Sequence, residues 1–382
     1  MRALAVVVLL FVSVPWPGPA RAQAPDDALA ALWVTLCAGA APGSDLAARC
    51  AEIFAGGPGS SAGAAAGNFL GEIPGQGRAA TRDGSPEDAA LRQELGAGWA
   101  LFASADAGRL TRRDGVNEAS FDGDTGALTA GVDWAPGDHW RLGLLFNHAR
   151  DSLDFLGSEG STRTRFTGAI ATGGWQLGEA VSVDGYAGQL QGDYRLRRQI
   201  DYTLPSGVAV RSLASASPDA ERALAGVGLA WARPAGAWEW QLGAGLDWQR
   251  TDIEAYAEAG GAGLALFVPG RRVTSRRGRV DATLARTVSA EWGVWQPMAR
   301  LGWRHEFANA ARPLGVRFLG DANGTAVRFE TDDPDTGWAE AGVGAVFILP
   351  GGHSGFVEYR QRLGHDFLQE RLLALGWRIE LP

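Results

Sequence analysis

The chain has 382 residues, 46% of them hydrophobic, and its 43 acidic and 35 basic side chains leave a formal net charge of −8. Every basic residue is arginine; without lysine there is no Walker phosphate loop and no Schiff-base chemistry, and an acidic balance argues against a nucleic-acid partner, which needs a basic face. Glycine, at 54 of 382 residues, is roughly twice as frequent as its usual ~7%, a bias that suits turns, strand bulges and crowded barrel walls better than helices.

At the start, Arg2 precedes an apolar run from Ala3 to Val14, and Pro15, Pro17 and Pro19 lead into Ala20-Arg21-Ala22. This layout predicts a secretory signal peptide over residues 1–22, with a mature chain beginning near Gln23. The run is shorter than the ~20 residues of a membrane helix. No later stretch reaches that length without glycine or charge, so any further span has to be built from strands.

Residues 23–56 read as a helical hairpin. Asp26 and Asp27 open a first helix where the dipole favours acid, a turn follows at Gly39–Gly43, and Ser44 or Asp45 can cap a second helix reaching about Phe54. Cys37 and Cys50 fall on the two helices. In an oxidising envelope they are expected to form one disulfide that staples a unit too small to hold itself together, worth about 3 kcal/mol for so short a loop. A metal or catalytic thiol lacks a nearby histidine, the first being His139. Residues 57–98 follow as a Gly/Ala-rich linker; Glu87–Leu95 within it again has helical spacing.

From Trp99 onward the apolar period is two. Trp238, Trp240, Leu242, Ala244, Leu246 and Trp248 share one face, with Gln241, Gly243, Gly245 and Asp247 on the other; Leu373, Leu375, Trp377, Ile379 and Leu381 alternate in the same way with Ala374, Gly376, Arg378 and Glu380. Twelve such strands are expected, starting near Trp99, Thr125, His139, Arg163, Ala180, Arg222, Ala237, Arg277, Gly293, Thr336, Ser354 and Phe367. Tight turns alternate with long polar stretches at Arg109–Gly123, Asp151–Thr162, Arg197–Glu221, Thr251–Arg276 and Ala308–Asp335. An even strand number with loops sorted by length predicts an all-β membrane protein, a 12-stranded antiparallel up-and-down transmembrane β-barrel over 99–382, preceded by a short helical segment. Trp99, Trp134, Trp140, Trp175, Trp231, Trp238, Trp240, Trp295, Trp338 and Trp377 are expected in an interfacial girdle, most of them beside the tight turns.

Arg300, Arg304, Glu306, Glu340, Glu358, Arg360 and Arg378 fall on inward faces and predict a mixed-charge lumen lining. An enzyme reading would rest on His148, His305, Asp106 and Asp133, because a barrel protease or lipase places an acid–base pair near a strand end. No Gly-x-Ser-x-Gly, His-Glu-x-x-His or Cys-x-x-Cys motif accompanies them, so neither catalysis nor a cofactor is expected.

The stretch from Gly96 to Leu381 resembles the C-terminal translocator barrel of autotransporters, the type V secretion proteins. The resemblance rests on the Gly-x-Gly-Trp entry at Gly96–Ala105, on Gly131-Val132-Asp133-Trp134, on Asp184-Gly185-Tyr186-Ala187-Gly188, on Gln296–Trp303 and on the final Ala374–Ile379. It implies a Gram-negative outer-membrane barrel that anchors an N-terminal segment, with a helix threading the pore where Glu87–Leu95 stands. That segment would be displayed or retained as a plug. Outer-membrane lipid, periplasmic chaperones and the barrel-assembly machinery are the implied partners, the machinery reading Leu375, Trp377, Ile379 and Leu381 of the last strand. Two features depart from the family: only 76 residues stand between Gln23 and the barrel, and the chain closes on Glu380-Leu381-Pro382 rather than on an aromatic residue. An outer-membrane hydrolase and an adhesion barrel acting through lumen or loop residues are the alternatives.

Overall fold

The computed structural model describes residues 33–53 and 98–381, apart from 116, 138, 205–206, 309–312 and 334. The signal segment, the linker and the helix expected at Glu87–Leu95 lie outside the described residues.

Twelve antiparallel strands form the barrel: β1 Gly98–Arg112, β2 Phe121–Gly137, β3 Trp140–Phe155, β4 Ser161–Gln176, β5 Val181–Thr203, β6 Asp219–Ala235, β7 Trp238–Ile253, β8 Arg271–Arg286, β9 Gly293–Glu306, β10 Gly337–Leu349, β11 His353–Leu363 and β12 Leu368–Glu380. Each pairs with its sequence neighbour, and β1 pairs with β12 from Ala100↔Glu380 to Arg112↔Leu368, so the sheet closes on itself. The expected strand starts lie within four residues of the observed ones, except that the strand expected near Arg277 begins at Arg271.

Alternation decides which face turns outward. On β7, Trp238, Trp240, Leu242 and Leu246 are between 45% and 58% exposed, an arrangement that water would penalise and lipid accepts. Trp99 stacks on Trp134 and Trp140 on Trp175, with ring centroids 5.9 and 5.1 Å apart, all at the short-turn end. Trp338 departs from the expected girdle: it is buried at the opposite end, 5.4 Å from the His365 ring and under the Arg362 guanidinium. It follows directly on the long stretch Ala308–Asp335, which sets it at the end away from the tight turns, where its ring packs inward rather than at the lipid interface.

The loops are shorter than expected on one side of the ring. Arg109–Gly123 and Asp151–Thr162 are mostly strand, leaving only 113–120 and 156–160 as connections. The ladder continues past the apolar band with polar residues facing outward, such as Arg109, Asp122, Asp154 and Arg163, so the change to polar composition does not mark the end of pairing. β5 runs further still, and its far half pairs with Ala209–Ala216 as a projecting hairpin.

Across the closing seam, Arg378 on β12 donates to Asp133 on β2 at 2.5 Å, reaching over β1, with both side chains buried. Removing one partner strands a buried charge at a cost of about 3–5 kcal/mol. Arg378→Ala is therefore expected to lower the temperature at which the folded band disappears in unboiled SDS gels, and Arg378→Leu combined with Asp133→Leu is expected to restore most of it. Equal loss in the single and double variants would contradict the seam role.

Candidate functional site

The disulfide-bonded hairpin sits at the long-loop end of the barrel. Its helices cover 33–38 and α1, Asp45–Ile53, and Cys37 and Cys50 are bonded with their Cα atoms 5.5 Å apart. Ser44 is the cap: its hydroxyl accepts from the Ala47 N–H at 3.1 Å. Amphipathic spacing sends Trp33, Leu36, Leu46 and Cys50 into one buried cluster with Tyr256, Leu264, Leu266, Val316 and Phe318 of the loops and Leu196 and Ile200 of upper β5. Each fully buried leucine contributes about 2 kcal/mol.

The loops build a seat for it. Strands 326–329, 314–318, 266–268 and 256–257 form a small separate sheet above the barrel. The hairpin turn joins this platform through its backbone: Ala41 N–H donates to Gly320 O at 3.1 Å and Ala322 N–H to Gly39 O at 2.7 Å. Asp321 organises that edge by accepting from the Asn323 and Thr325 amides at 2.9 and 2.7 Å. Burial would raise its pKa, but the Thr325 hydroxyl and those amides outweigh burial and hold the carboxyl below the usual range. Burial pushes the Tyr256 phenol up.

Three glycines permit the close approach. A Cβ on Gly39 would collide with the Asp321 carboxylate; on Gly263, whose φ is +91°, it would come within 2.5 Å of the Asp45–Leu46 backbone; on Gly320 it would meet Leu46 Cβ at 2.7 Å. Only Gly39 carries a signal in the sequence, as the start of the expected Gly39–Gly43 turn. The Asp321-Ala322-Asn323-Gly324 turn was the other local signal available.

Buried ion pairs fasten the loops to the staves. Arg198 on β5 donates to both Glu258 oxygens, at 2.9 and 2.5 Å, and to Leu264 O at 2.9 Å, while Glu258 also accepts from the Leu266 amide. Arg112 at the top of β1 meets Asp332 at 2.7 Å and Glu118 at 3.1 Å, tying the β1–β2 loop to the β9–β10 loop. Arg362 pairs with Glu370 at 2.7 Å.

Inside the barrel, the residues expected to line the lumen face inward, most of them beside an opposite charge. Arg304 contacts Asp281 and Glu340 at 2.8 and 2.9 Å; Arg300 and Arg360 lie 3.6 and 3.8 Å from Glu358; Glu306 accepts from the Ser275 hydroxyl and from the Arg276 amide. Arg279 stands 3.7 Å from Asp247, which also accepts from the Tyr186 hydroxyl. On β1–β5 the inward face instead carries Phe102, Leu145, Phe166, Ile170 and Leu190. Leu375, Trp377 and Leu381 of the expected assembly signal are exposed on the outer face, and Ile379 is half-buried beside them.

The residues weighed for catalysis are not brought together. His148 follows Phe146 on the same outer face, where it bonds Thr167 at 2.7 Å, and His305 faces outward against Phe307. Asp106 and Asp133 are on the inner face, so the barrel wall separates acid from base. Among the described residues no group of three His, Cys, Asp or Glu could hold a metal, and no helix is long and apolar enough to cross a membrane.

The family comparison decides the assignment: the autotransporter beta-domain profile matches residues 101–360, more than half of the sequence. The chain belongs to the autotransporter beta-domain family. Among solved structures it is similar to the beta domain of a Bordetella autotransporter, BrkA, with 17% identity and a TM-score of 0.54 over 74% of this chain and 100% of that one. It is also similar to the translocator domain of NalP from Neisseria meningitidis, with 15% identity and a TM-score of 0.53 over 75% and 90%. No curated protein matches it by sequence.

Two outcomes follow from the seat. Gly263→Ala combines a positive-φ penalty with a backbone clash and is expected to weaken hairpin docking by about 2–4 kcal/mol, read as faster tryptic cleavage at Arg49 with an unchanged barrel heat shift. Asp321 has a lowered folded-state pKa, so its contribution is present above the ordinary carboxylate pKa of about 4 and lost as pH falls through the folded value. The Ala322 amide, which donates to Gly39 O, is expected to keep its hydrogen-exchange protection factor at pH 7 and pH 5 and to lose it below about pH 4, earlier in the descent than any loss in Asp321→Asn. Protection unaffected by either change would remove these contacts from the docking.

Proposed function

We propose that this outer-membrane autotransporter-type barrel carries its own short N-terminal segment to the cell surface and keeps it there as a docked cap. One observation supports the reading above all others: the stapled hairpin rests on the long-loop end, whereas Gly98, at the start of β1, pairs with Ala135 at the short-turn end. In outer-membrane barrels the short turns face the periplasm and the long loops face outside. The chain between Ile53 and Gly98 therefore has to connect the two sides. A polar chain crosses hydrocarbon only where its backbone is shielded from lipid, and the lumen provides that route.

Delivery by a cleaved signal peptide and insertion by the barrel-assembly machinery complete the proposal, the latter acting on the exposed apolar face of β12. A hydrolase reading is not favoured, because the wall separates the groups it would need.

An epitope inserted after Gly43, at the exposed turn between the two hairpin helices, is expected to bind antibody on intact cells. Labelling only after outer-membrane permeabilisation would contradict export of the segment.

A further inference from the structure

The outer face of β3–β5 carries a concentration of arginine that barrel folding does not explain. The register sets Arg150 on β3 directly opposite Arg165 on β4, and Arg163 on β4 directly opposite Arg195 on β5, with Arg197 two residues further up. Like charges facing each other across a ladder are destabilising. Arg163 is partly neutralised by Asp154 at 2.6 Å and also donates to Leu153 O at 2.6 Å, and Asp193, which the register sets opposite Arg165, lies 3.9 Å from Arg195. Arg150, Arg165 and Arg197 are exposed and have no ionic or hydrogen-bond partner among the described residues. This occurs in a chain whose net charge is −8, where repulsion between cations is easily avoided elsewhere.

Height along the wall gives the patch its meaning. Up the outer face of β3 run Trp140, Leu142, Leu144, Phe146, His148 and Arg150, with the four apolar side chains between 47% and 57% exposed. Trp140 marks the short-turn interface. Ten residues further, at about 3.3 Å each and a tilt of about 40°, Arg150 stands about 25 Å higher, the thickness of the apolar band of such barrels. The arginines thus begin where hydrocarbon ends on the long-loop side. Guanidinium forks suit phosphate oxygens, which accept two parallel N–H bonds.

We infer that Arg150, Arg163, Arg165, Arg195 and Arg197 form a docking surface for the phosphorylated headgroup of an outer-leaflet glycolipid. The phosphates bridge the facing arginine pairs and relieve their repulsion, while acyl chains lie along Leu144 and Phe146 below. The inference rests on the outer-membrane reading for the identity of the lipid, but its test does not depend on cellular location.

The full-length protein, folded in uncharged detergent micelles, would be titrated with diphosphorylated lipid A, with dephosphorylated lipid A and with inorganic pyrophosphate, with adducts counted by native mass spectrometry. Diphosphorylated lipid A is expected to bind, the dephosphorylated form at least tenfold more weakly. R165Q/R195Q is expected to weaken binding about thirtyfold, while R328Q, at an exposed arginine of the loop strand 326–329 away from the patch, leaves it unchanged. R150Q/R197Q provides a second test should the first pair disturb folding, which the heat shift reports. Equal binding of the dephosphorylated lipid, equal binding of free pyrophosphate, or undiminished binding by folded arginine variants would each overturn the inference.

Discussion

A sheet that enters lipid can have no free edge, because each unpaired N–H and C=O in hydrocarbon costs several kcal/mol. The pairing of β1 with β12 over thirteen residues, from Ala100↔Glu380 to Arg112↔Leu368, satisfies that requirement, and much of the rest follows from it. Closure divides every strand into an outer and an inner set of side chains. It forces polar groups inside into proximity, and it leaves the ladder's upper ends standing in water as a platform on which loops can fold.

Inside, proximity is resolved by pairing. Arg304 between Asp281 and Glu340, and Arg378 with Asp133, are held charge against charge across neighbouring strands. Above the membrane the same device, in Arg112 and Arg198, fixes loops that would otherwise be entropically costly to order. The fixed loops in turn make a surface rigid enough to receive the hairpin by backbone contact. Its disulfide and its seat are complementary: one limits the unfolded hairpin, the other buries the apolar stripe that two short helices cannot bury alone.

Much of this was legible from period and turn spacing. The strand starts, their even number and the inward set around Arg304 follow from strict alternation, since a one-residue slip would place Leu301 and Trp303 in the lumen. Cys37 and Cys50 announced their bond through oxidising context. Strand ends were less readable, because Arg109 and Asp154 continue pairing in water with polar side chains that resemble a loop. The end of the barrel at which Trp338 stands was legible from the long stretch Ala308–Asp335 before it, but its burial against His365 and Arg362 depends on contacts between loops. The seat was not legible, because Gly39, Gly263 and Gly320 matter through contacts between segments more than 200 residues apart, and a glycine's need for space is visible only when its neighbour is known. The arginine pairs of β3–β5 required the register itself.

The central claim is that the hairpin and the outer loops form one backbone-bonded unit on the closed barrel. Amide hydrogen exchange of the full-length protein in outer-membrane vesicles tests it directly. The Ala41 and Ala322 amides, which donate to Gly320 and Gly39, are predicted to exchange slowly and to lose protection together. Exchange of both at the rate of a free turn, with the β1–β12 amides still protected, would contradict the account.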